Sequence, residues 1–407
     1  MLSDINPFLI NKYLKKIKDN FLINLFFRLA LEVIYSVIFC LFKIFNIKFL
    51  PIPLEALGHQ LVDLECFVYE FKKKKLNFKP LIVISKNFIA NEYYFKNYQI
   101  ENFNIIVIKN DLLALIFRSL RNRLKITYDT SKYQETLNDP AKEFVIFKKN
   151  NFFLKKLKKN NIEDAENILL SKKINLNKRF VILHVRDNSF KPFDGEKYRS
   201  SEISNFKESV KWLNKNNIQV IRIGNKGMKK SFKSKNFCDL TTKILSKTER
   251  QILDIYLIAK CEFFIGTASG PYLLASIFNK PLITIDTAPL SSVFPLARKN
   301  SLTIPKLYYD NEKKKYLKFR EILRFNLCDL RFDFQWKKFN LKPRMTSSKE
   351  ILDAVKELNK KNNNKSFNVH KLQQKFKNEF DVNRHYSGKS IGNISQSFIN
   401  KYKNLLN

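Results

Sequence analysis

Phe180-Val181-Ile182-Leu183-His184-Val185-Arg186-Asp187 is the stretch that decides how this chain is read. Four apolar residues run unbroken, and the segment then releases a histidine, an arginine and an aspartate together. An apolar run of this length marks a strand buried on both faces, as in parallel sheets covered by helices. The pattern recurs downstream, with strands expected at Ile218 to Ile223, Glu262 to Ile265 and Pro281 to Ile285. Helical spacing fills the intervals. Ile203, Phe206, Val210 and Leu213 recur at 3, 4 and 3, Ser246 and Glu249 form a capping box ahead of Ile252, Ile255, Tyr256 and Ala259, and Gly270 to Phe278 reads as a short helix. The order β-α-β-α-β-α-β defines an α/β fold with a Rossmann-like second half.

Working outward, residues 166–357 form this second domain and residues 51–165 a first one. Pro51 and Pro53 break the chain, Leu54, Leu57, Leu61, Leu64 and Val68 make a helical stripe, and Leu81 to Ser85 and Asn104 to Ile108 read as buried strands. Asp111 to Asn161 is rich in Lys and Asn with weak periodicity, so no elements are assigned there. Residues 358–407 read as a polar linker, centred on Glu357 to Ser366, followed by a helix from Ser395 to Leu406. In residues 1–50, Lys12, Lys15, Lys16 and Lys18 precede an apolar stretch interrupted by Arg28, Glu32 and Lys43. Its longest uncharged run, Val33 to Phe42, is half of the roughly 20 residues a membrane span needs. A basic amphipathic helix lying in the cytoplasmic interface of the inner membrane fits best, beside a buried helix and a true span.

The chain has 407 residues, 44% hydrophobic with 38 Phe, enough for two cores. Its formal charge of +38 would suit a polyanion, yet Lys, Asn, Ile and Phe are abundant together while Gly and Ala are scarce, as an AT-rich genome produces unselected. The basic residues are spread along the whole chain with no arginine-rich stripe, which favours an anionic membrane surface over nucleic acid. Cys40, Cys66, Cys238, Cys261 and Cys328 are odd in number and scattered in apolar segments, the pattern of a reducing compartment. His59, His184, His370 and His385 do not cluster and no CxxC occurs, so neither a bound metal nor a cofactor is expected.

Glycine is used eight times, about 2% of the chain against a usual 7%, and Gly224, Gly227, Gly266 and Gly270 share one region. In an open parallel sheet a ligand lies beyond the carboxyl ends of the strands, where three polar clusters fall. At His184 to Asp187, Arg186 suits a diphosphate, or else closes the strand with Asp187. Gly266-Thr267-Ala268-Ser269-Gly270 at a helix start offers backbone N–H groups to a phosphate, or is a simple capping turn with Ser269 as N-cap. Gly224-Asn225-Lys226-Gly227 would admit a ribose or base to the backbone, or is an ordinary turn. The three together suit a nucleoside diphosphate. Neither a Walker loop nor GxGxxG is present, which argues against P-loop and dinucleotide oxidoreductase chemistry.

With these residues in view, the chain resembles bacterial glycosyltransferases of GT-B type through Gly58-His59, His184 to Asp187, and Phe263 to Gly270. Tyr198-Arg199, Arg222-Ile223-Gly224, Asp254 and Ile394 to Phe398 fit the same pattern. The chain is also similar to fucosyltransferase-like GT-B enzymes with their HxRxxD motif. Here Ser189 stands at the final Asp position and the acid is Asp187, which argues against a GDP-fucose donor and leaves the arginine role intact. The resemblance implies two Rossmann-like domains facing a cleft, a donor held by the second, and no obligatory metal. The implied activity is sugar transfer from a nucleotide-sugar donor to a glycan or glycolipid acceptor in surface polysaccharide synthesis. Arg186, Thr267, Ser269 and the Gly270 N–H would hold the departing diphosphate, with His184, Gly224 and Asn225 also on the donor. His59 is the candidate base, Asp187 its rival, and Tyr198, Arg199 and Asp254 are supporting positions. The competing reading is a non-catalytic, membrane-peripheral polyanion binder.

Overall fold

The computed structural model describes residues 21–85, 89–101, 103–120, 126–130, 133, 154–177, 179–189, 195–290, 301–363, 371–382 and 392–406. The N-terminal lysine cluster, His370 and His385 lie outside them. The first domain is a parallel sheet of β1 (Ile47–Phe49), β2 (Lys79–Ile84) and β3 (Ile106–Lys109) in that order, extended by a bridge from Phe49 to Thr127. Alternation along β2 explains its two covers. Leu81 and Val83 face helices α1 (Phe21–Ile44) and α3 (Asp111–Leu120) through Phe42 and Phe117, whereas Ile82 and Ile84 face α2 (Leu57–Lys73) through Leu64 and Phe67. The domain therefore reaches ahead of the Pro51 break, because β1 pairs with β2 and α1 packs on the sheet.

One face of α1 packs on the sheet through Tyr35, Ile38, Phe39 and Phe42. Its other face leaves Phe26, Leu29, Val33, Val37 and Ile44 more than half exposed. Among the described residues no helix is long and apolar enough to cross a membrane.

The second domain is the expected covered parallel sheet and is larger than the sequence indicates. It comprises β4 (Phe180–His184), β5 (Gln219–Arg222), β6 (Phe237–Asp239), β7 (Phe264–Thr267), β8 (Leu282–Thr287), β9 (Leu302–Pro305) and β13 (Asn393–Ile394). All six pairings are parallel, in the order β13-β9-β8-β7-β4-β5-β6. Counted from β4, strands one to six run 3-2-1-4-5-6, the doubly wound order whose switch point lies between β4 and β7. Helices α4 (Lys159–Ser171), α5 (Lys207–Lys215), α6 (Lys247–Lys260) and α7 (Gly270–Ile277) cover it, and the Ser246–Glu249 capping box opens α6 as expected. Short helices α8 (Phe319–Arg324) and α9 (Asp333–Lys338) accompany a small antiparallel sheet of β10 (Leu307–Asp310), β11 (Lys315–Tyr316) and β12 (Leu341–Arg344).

Two boundaries move. The one at 165/166 falls inside α4, whose Ala165 and Leu169 are buried with α6 residues. The stretch read as a linker from Glu357 begins in the last turns of α10 (Ser348–Asn363), with residues 364–366 outside the described ones. Glu357 accepts from Ser395 Oγ at 2.9 Å and Gln396 N at 2.8 Å, so its carboxylate holds the start of α12 (Gln396–Lys401), which follows α11 (Lys371–Val382). A polar composition hid a helix whose Ile351, Ala354, Val355 and Leu358 are all buried. The C-terminal tail is thus part of the sheet, through β13, and of its helical cover.

The domains meet over one shared core. Leu61, Tyr94 and Tyr98 are buried with Ile252, Tyr256 and Leu273. Gln251 donates to Ala90 O at 3.2 Å and accepts from Glu92 N at 3.1 Å, satisfying buried polar groups across the junction.

Candidate functional site

The switch point sets the carboxyl ends of β4 and β7 side by side, with His184 paired to Gly266. A Cβ on Gly266 would stand 2.6 Å from His184 O, so only glycine lets the two strands close. Thr267 is fully buried and its Oγ1 accepts from Arg186 N at 2.9 Å. That hydroxyl fixes the path of the HVRD loop and does not face a ligand. Ser269 occupies the N-cap position of α7 without capping it, because its Oγ shares a hydrogen bond of 3.0 Å with His184 Nδ1. Ser269 therefore leaves this helix start uncapped; Pro271 carries no N–H and Tyr272 N donates to Ser269 O at 3.3 Å, so the Gly270 N–H and the helix dipole are what it can offer an anion. His184 is 6% exposed, and burial, reinforced by the charges of Arg222 and Arg186, pushes it down to about 4. It is neutral at physiological pH and orients Ser269.

Arg186 is buried, and its Nη2 donates to Glu196 Oε2 at 3.0 Å. Arg199 Nη1 donates to the same oxygen at 2.8 Å, and Arg199 Nη2 donates to Ala268 O at 3.1 Å. Two guanidiniums share one carboxylate against the Gly266–Gly270 turn, leaving one net positive charge beside the uncapped helix. Burial first, and then the neighbouring Arg199 charge, hold Arg186 below its ordinary value, with Glu196 opposing. Arg199 is the more accessible of the pair at 28% side-chain exposure against 7%.

Other expected residues take different parts. Asp187 is 3% exposed and accepts from Ser189 N at 2.9 Å, from Ser189 Oγ, and from Lys229 N at 2.7 Å. Both carboxylate oxygens are occupied in tying two loops together, an arrangement for a loop anchor and not for a base. Gly224 and Gly227 do need positive φ, at 146° and 97°, but the space over Gly224 holds the Met228 thioether, with Sδ 2.4 Å from where a Cβ would be. Met228 would have to swing aside before a ribose or base approached Gly224. Asn225 is exposed at the rim. Tyr198 is a core residue, buried beside Trp336 with ring centroids 5.9 Å apart. Asp254 is half-buried on α6, one turn beyond Arg250, and burial lifts its carboxyl to about 7.

His59 comes from the other domain. It lies in the first turn of α2, whose Leu57 packs on the start of α7 so closely that a Cβ on Gly270 would be 2.6 Å from Leu57 Cβ. Gly58 likewise faces Leu273. His59 follows these two contact residues on α2. Its Nδ1 lies 3.0 Å from Asp63 Oδ2, and Asp63 is buried while the imidazole is 45% exposed. A buried carboxylate accepting from Nδ1–H leaves Nε2 as the acceptor of the neutral ring, the geometry a general base requires.

Three participants, Asp63, Glu196 and Lys306, were not singled out from sequence, and Arg222 was noted only within Arg222-Ile223-Gly224, with no role assigned. Asp63 stands four residues after His59 on one helix face and Glu196 three before Arg199, signals that were available and unread. Arg222, at the end of β5, is fully buried, giving Nη1 to Asp239 Oδ2 and Lys229 O, each at 2.9 Å, while its Nε and Nη2 have no partner among the described residues. Lys306 is 2% exposed beyond β9 and donates to Ser200 O at 2.8 Å beneath the turn carrying Arg199. Nothing in a single sequence marks a lysine as buried. Among the described residues no three His, Cys, Asp or Glu side chains gather as a metal site.

Fold and site together define a doubly wound α/β protein with a cluster of arginines at its switch point, where helix α2 of the first domain packs on the start of α7. No protein-family model and no curated protein matches the chain. Among solved structures, it is similar to the E. coli ADP-heptose LPS heptosyltransferase II at 9% identity and TM-score 0.42, over 77% of this chain and 98% of that one. It is also similar to a glycosyltransferase family 9 structure from Veillonella parvula at 10% identity and TM-score 0.44, over 77% and 96%. The E. coli heptosyltransferase WaaC with ADP is similar at 11% identity and TM-score 0.32, over 64% and 90%. Each likeness is one of backbone path, and no residue of this chain takes its role from them.

Proposed function

We propose that this protein is a metal-independent glycosyltransferase of GT-B type, moving a sugar from a nucleotide-sugar donor to a glycan or glycolipid acceptor in bacterial surface polysaccharide synthesis. The observation that carries the reading is the meeting of the two motif-bearing strand ends at the switch point with the His59–Asp63 pair of the facing domain. In this reading the donor diphosphate lies against the first turn of α7. Arg199 and Arg186 balance the charge that builds on it as the bond from the anomeric carbon to the phosphate oxygen breaks. The acceptor hydroxyl forms the new bond to that carbon and its proton passes to His59 Nε2, with Asp63 stabilising the resulting imidazolium. Neutral His184, Thr267 and Asp187 position the loops, and Gly224 and Asn225 border the nucleoside end. The exposed apolar face of α1 and the net charge of +38 support work at the cytoplasmic face of the inner membrane.

The test is a thermal-shift panel of GDP, UDP, CMP, ADP and NADH at constant ionic strength, on the full chain and on Arg199→Gln. A nucleotide at 100 times its dissociation constant adds about 2.7 kcal/mol of stability. Selective stabilisation by one nucleoside diphosphate, weakened in Arg199→Gln, is the expected result. Equal, salt-sensitive shifts with every anion, unchanged in the variant, would instead establish the non-catalytic polyanion binder.

A further inference from the structure

The first domain has a second concave site, at the edge of its sheet opposite the carboxyl ends. Phe71, Phe78 and Phe103 line it, with edge-on ring pairs 5.1 Å apart from Phe71 to each of the other two. Lys72, Lys75 and Lys79 stand around its mouth. All three lysines are exposed, and none makes an ion pair among the described residues, unlike neighbouring Lys74, which pairs with Glu70. A fourth cation, Lys48 Nζ, sits 4.9 Å from the Phe78 ring centroid. Four like charges around an aromatic hollow repel one another, and an anion with an apolar attachment relieves that repulsion while covering the rings.

The position of the hollow identifies the attachment. Asn46, directly after α1, donates from Nδ2 to Asn77 O at 2.7 Å and accepts from Lys79 N at 2.8 Å. The C-terminal end of α1, where Ile44 and Phe45 are exposed, therefore lies next to Lys79 at the rim of the hollow. On α3, Leu112 and Leu115 are exposed as well, which widens the apolar surface beside α1. A broad apolar surface ending in unpaired lysines matches the boundary of a bilayer, where acyl chains give way to phosphates.

We propose that this hollow holds the phosphate-bearing headgroup of an anionic lipid while the outer face of α1 lies in the acyl boundary. The proposal deepens the membrane-surface part of the functional reading and is independent of the donor crevice. Lys72, Lys75, Lys79 and Lys48 take the phosphate, and the phenylalanines meet the glycerol and first methylenes.

The full chain is sedimented with vesicles of phosphatidylcholine alone or mixed with phosphatidylglycerol, at fixed ionic strength. It is compared with Lys72→Gln/Lys75→Gln/Lys79→Gln and with an equal-charge control, Lys314→Gln/Lys315→Gln/Lys342→Gln, whose lysines are exposed on the second domain. The expected result is binding to the mixed vesicles that falls about a hundredfold in the first variant, roughly fivefold per lysine, and little in the control. Equal losses in both variants would overturn the site in favour of diffuse charge, and unchanged binding in the first would overturn it outright while sparing the membrane reading. No vesicle binding at all would overturn both, and leave the nucleotide panel to judge the donor crevice separately. Competition by glycerol phosphate in solution as effective as by vesicles would place a soluble anion, not a lipid, in the hollow. Substitution of exposed lysines leaves the core intact, which matched melting curves verify.

Discussion

His184 and Asp254 are two titrating groups of the second domain whose burial acts in opposite directions, and replacing one exposes the other. Burial takes His184 from 6.5 down to about 4. Between those values the unfolded chain binds a proton that the folded one does not, so stability is lost as pH falls through the window, by about 3 kcal/mol at roughly 1.4 kcal/mol per pH unit. Burial takes Asp254 from 3.8 up to about 7, opposed only by Arg250 one turn away. There the folded chain keeps a proton the unfolded one has released, so stability falls as pH rises, by about 4 kcal/mol at most and nearer 2 for a half-buried carboxyl that water still screens. From about pH 4 to 6.5 the two slopes largely cancel and the wild-type domain should show nearly flat stability. Asp254→Asn removes one slope. Its stability should rise with pH across the window and exceed wild type by about 2 to 4 kcal/mol at pH 8, the difference vanishing near pH 4. Both tryptophans, Trp212 and Trp336, lie in this domain, so urea unfolding followed by their fluorescence reads the domain directly. Parallel wild-type and variant curves over the whole range would show that Asp254 titrates as an ordinary carboxylate and would refute the reasoning.

Two further outcomes follow from contacts at the switch point. Gly266→Ala drives a Cβ into the His184 carbonyl, which is backbone and cannot yield, so the second domain should lose about 1 to 3 kcal/mol. Gly270→Ala meets the Leu57 side chain, its Cβ first, so Gly270→Ala/Leu57→Gly should recover part of the stability that Gly270→Ala loses, whereas equal melting of the two would show that Leu57 is not the obstacle. Asp63→Asn should lower kcat about a hundredfold or more and displace the acidic limb of the pH–rate profile, with nucleotide affinity in the thermal-shift panel unchanged. An Asp63→Asn protein with wild-type turnover would remove His59 from the chemistry.

The legible part of this fold was the part governed by local pattern. Strands β4, β5, β7 and β8 are built around short apolar runs and each lies within two residues of its expected place, as does the capping box of α6. What escaped is what depends on distant partners. The three-residue β6 and two-residue β13 exist because β5 and β9 supply their hydrogen bonds, and no periodicity can show in so few residues. Helix α3 was missed although Asp111 opens it, because its Leu112 and Leu115 point outward and blur the stripe. The same limit governed the site. Residue types and strand ends indicated where an anion would sit, but not that Thr267 and Asp187 would spend their oxygen atoms on backbone N–H groups.

That division bears on which residues can discriminate between functions. Groups fully consumed in holding loops, such as Thr267 and Asp187, would look the same in a transferase and in a passive anion binder, and their loss unfolds the crevice in either. Arg199 and His59 differ, being accessible side chains, the imidazole held by the buried Asp63. A binder of polyanions gains from Arg199 but has no use for an exposed imidazole backed by a buried carboxylate at the domain junction. A buried carboxylate is costly to maintain. The cost of Asp63 makes sense where the imidazole must accept and return a proton, so the turnover of Asp63→Asn, more than any binding constant, separates the two readings.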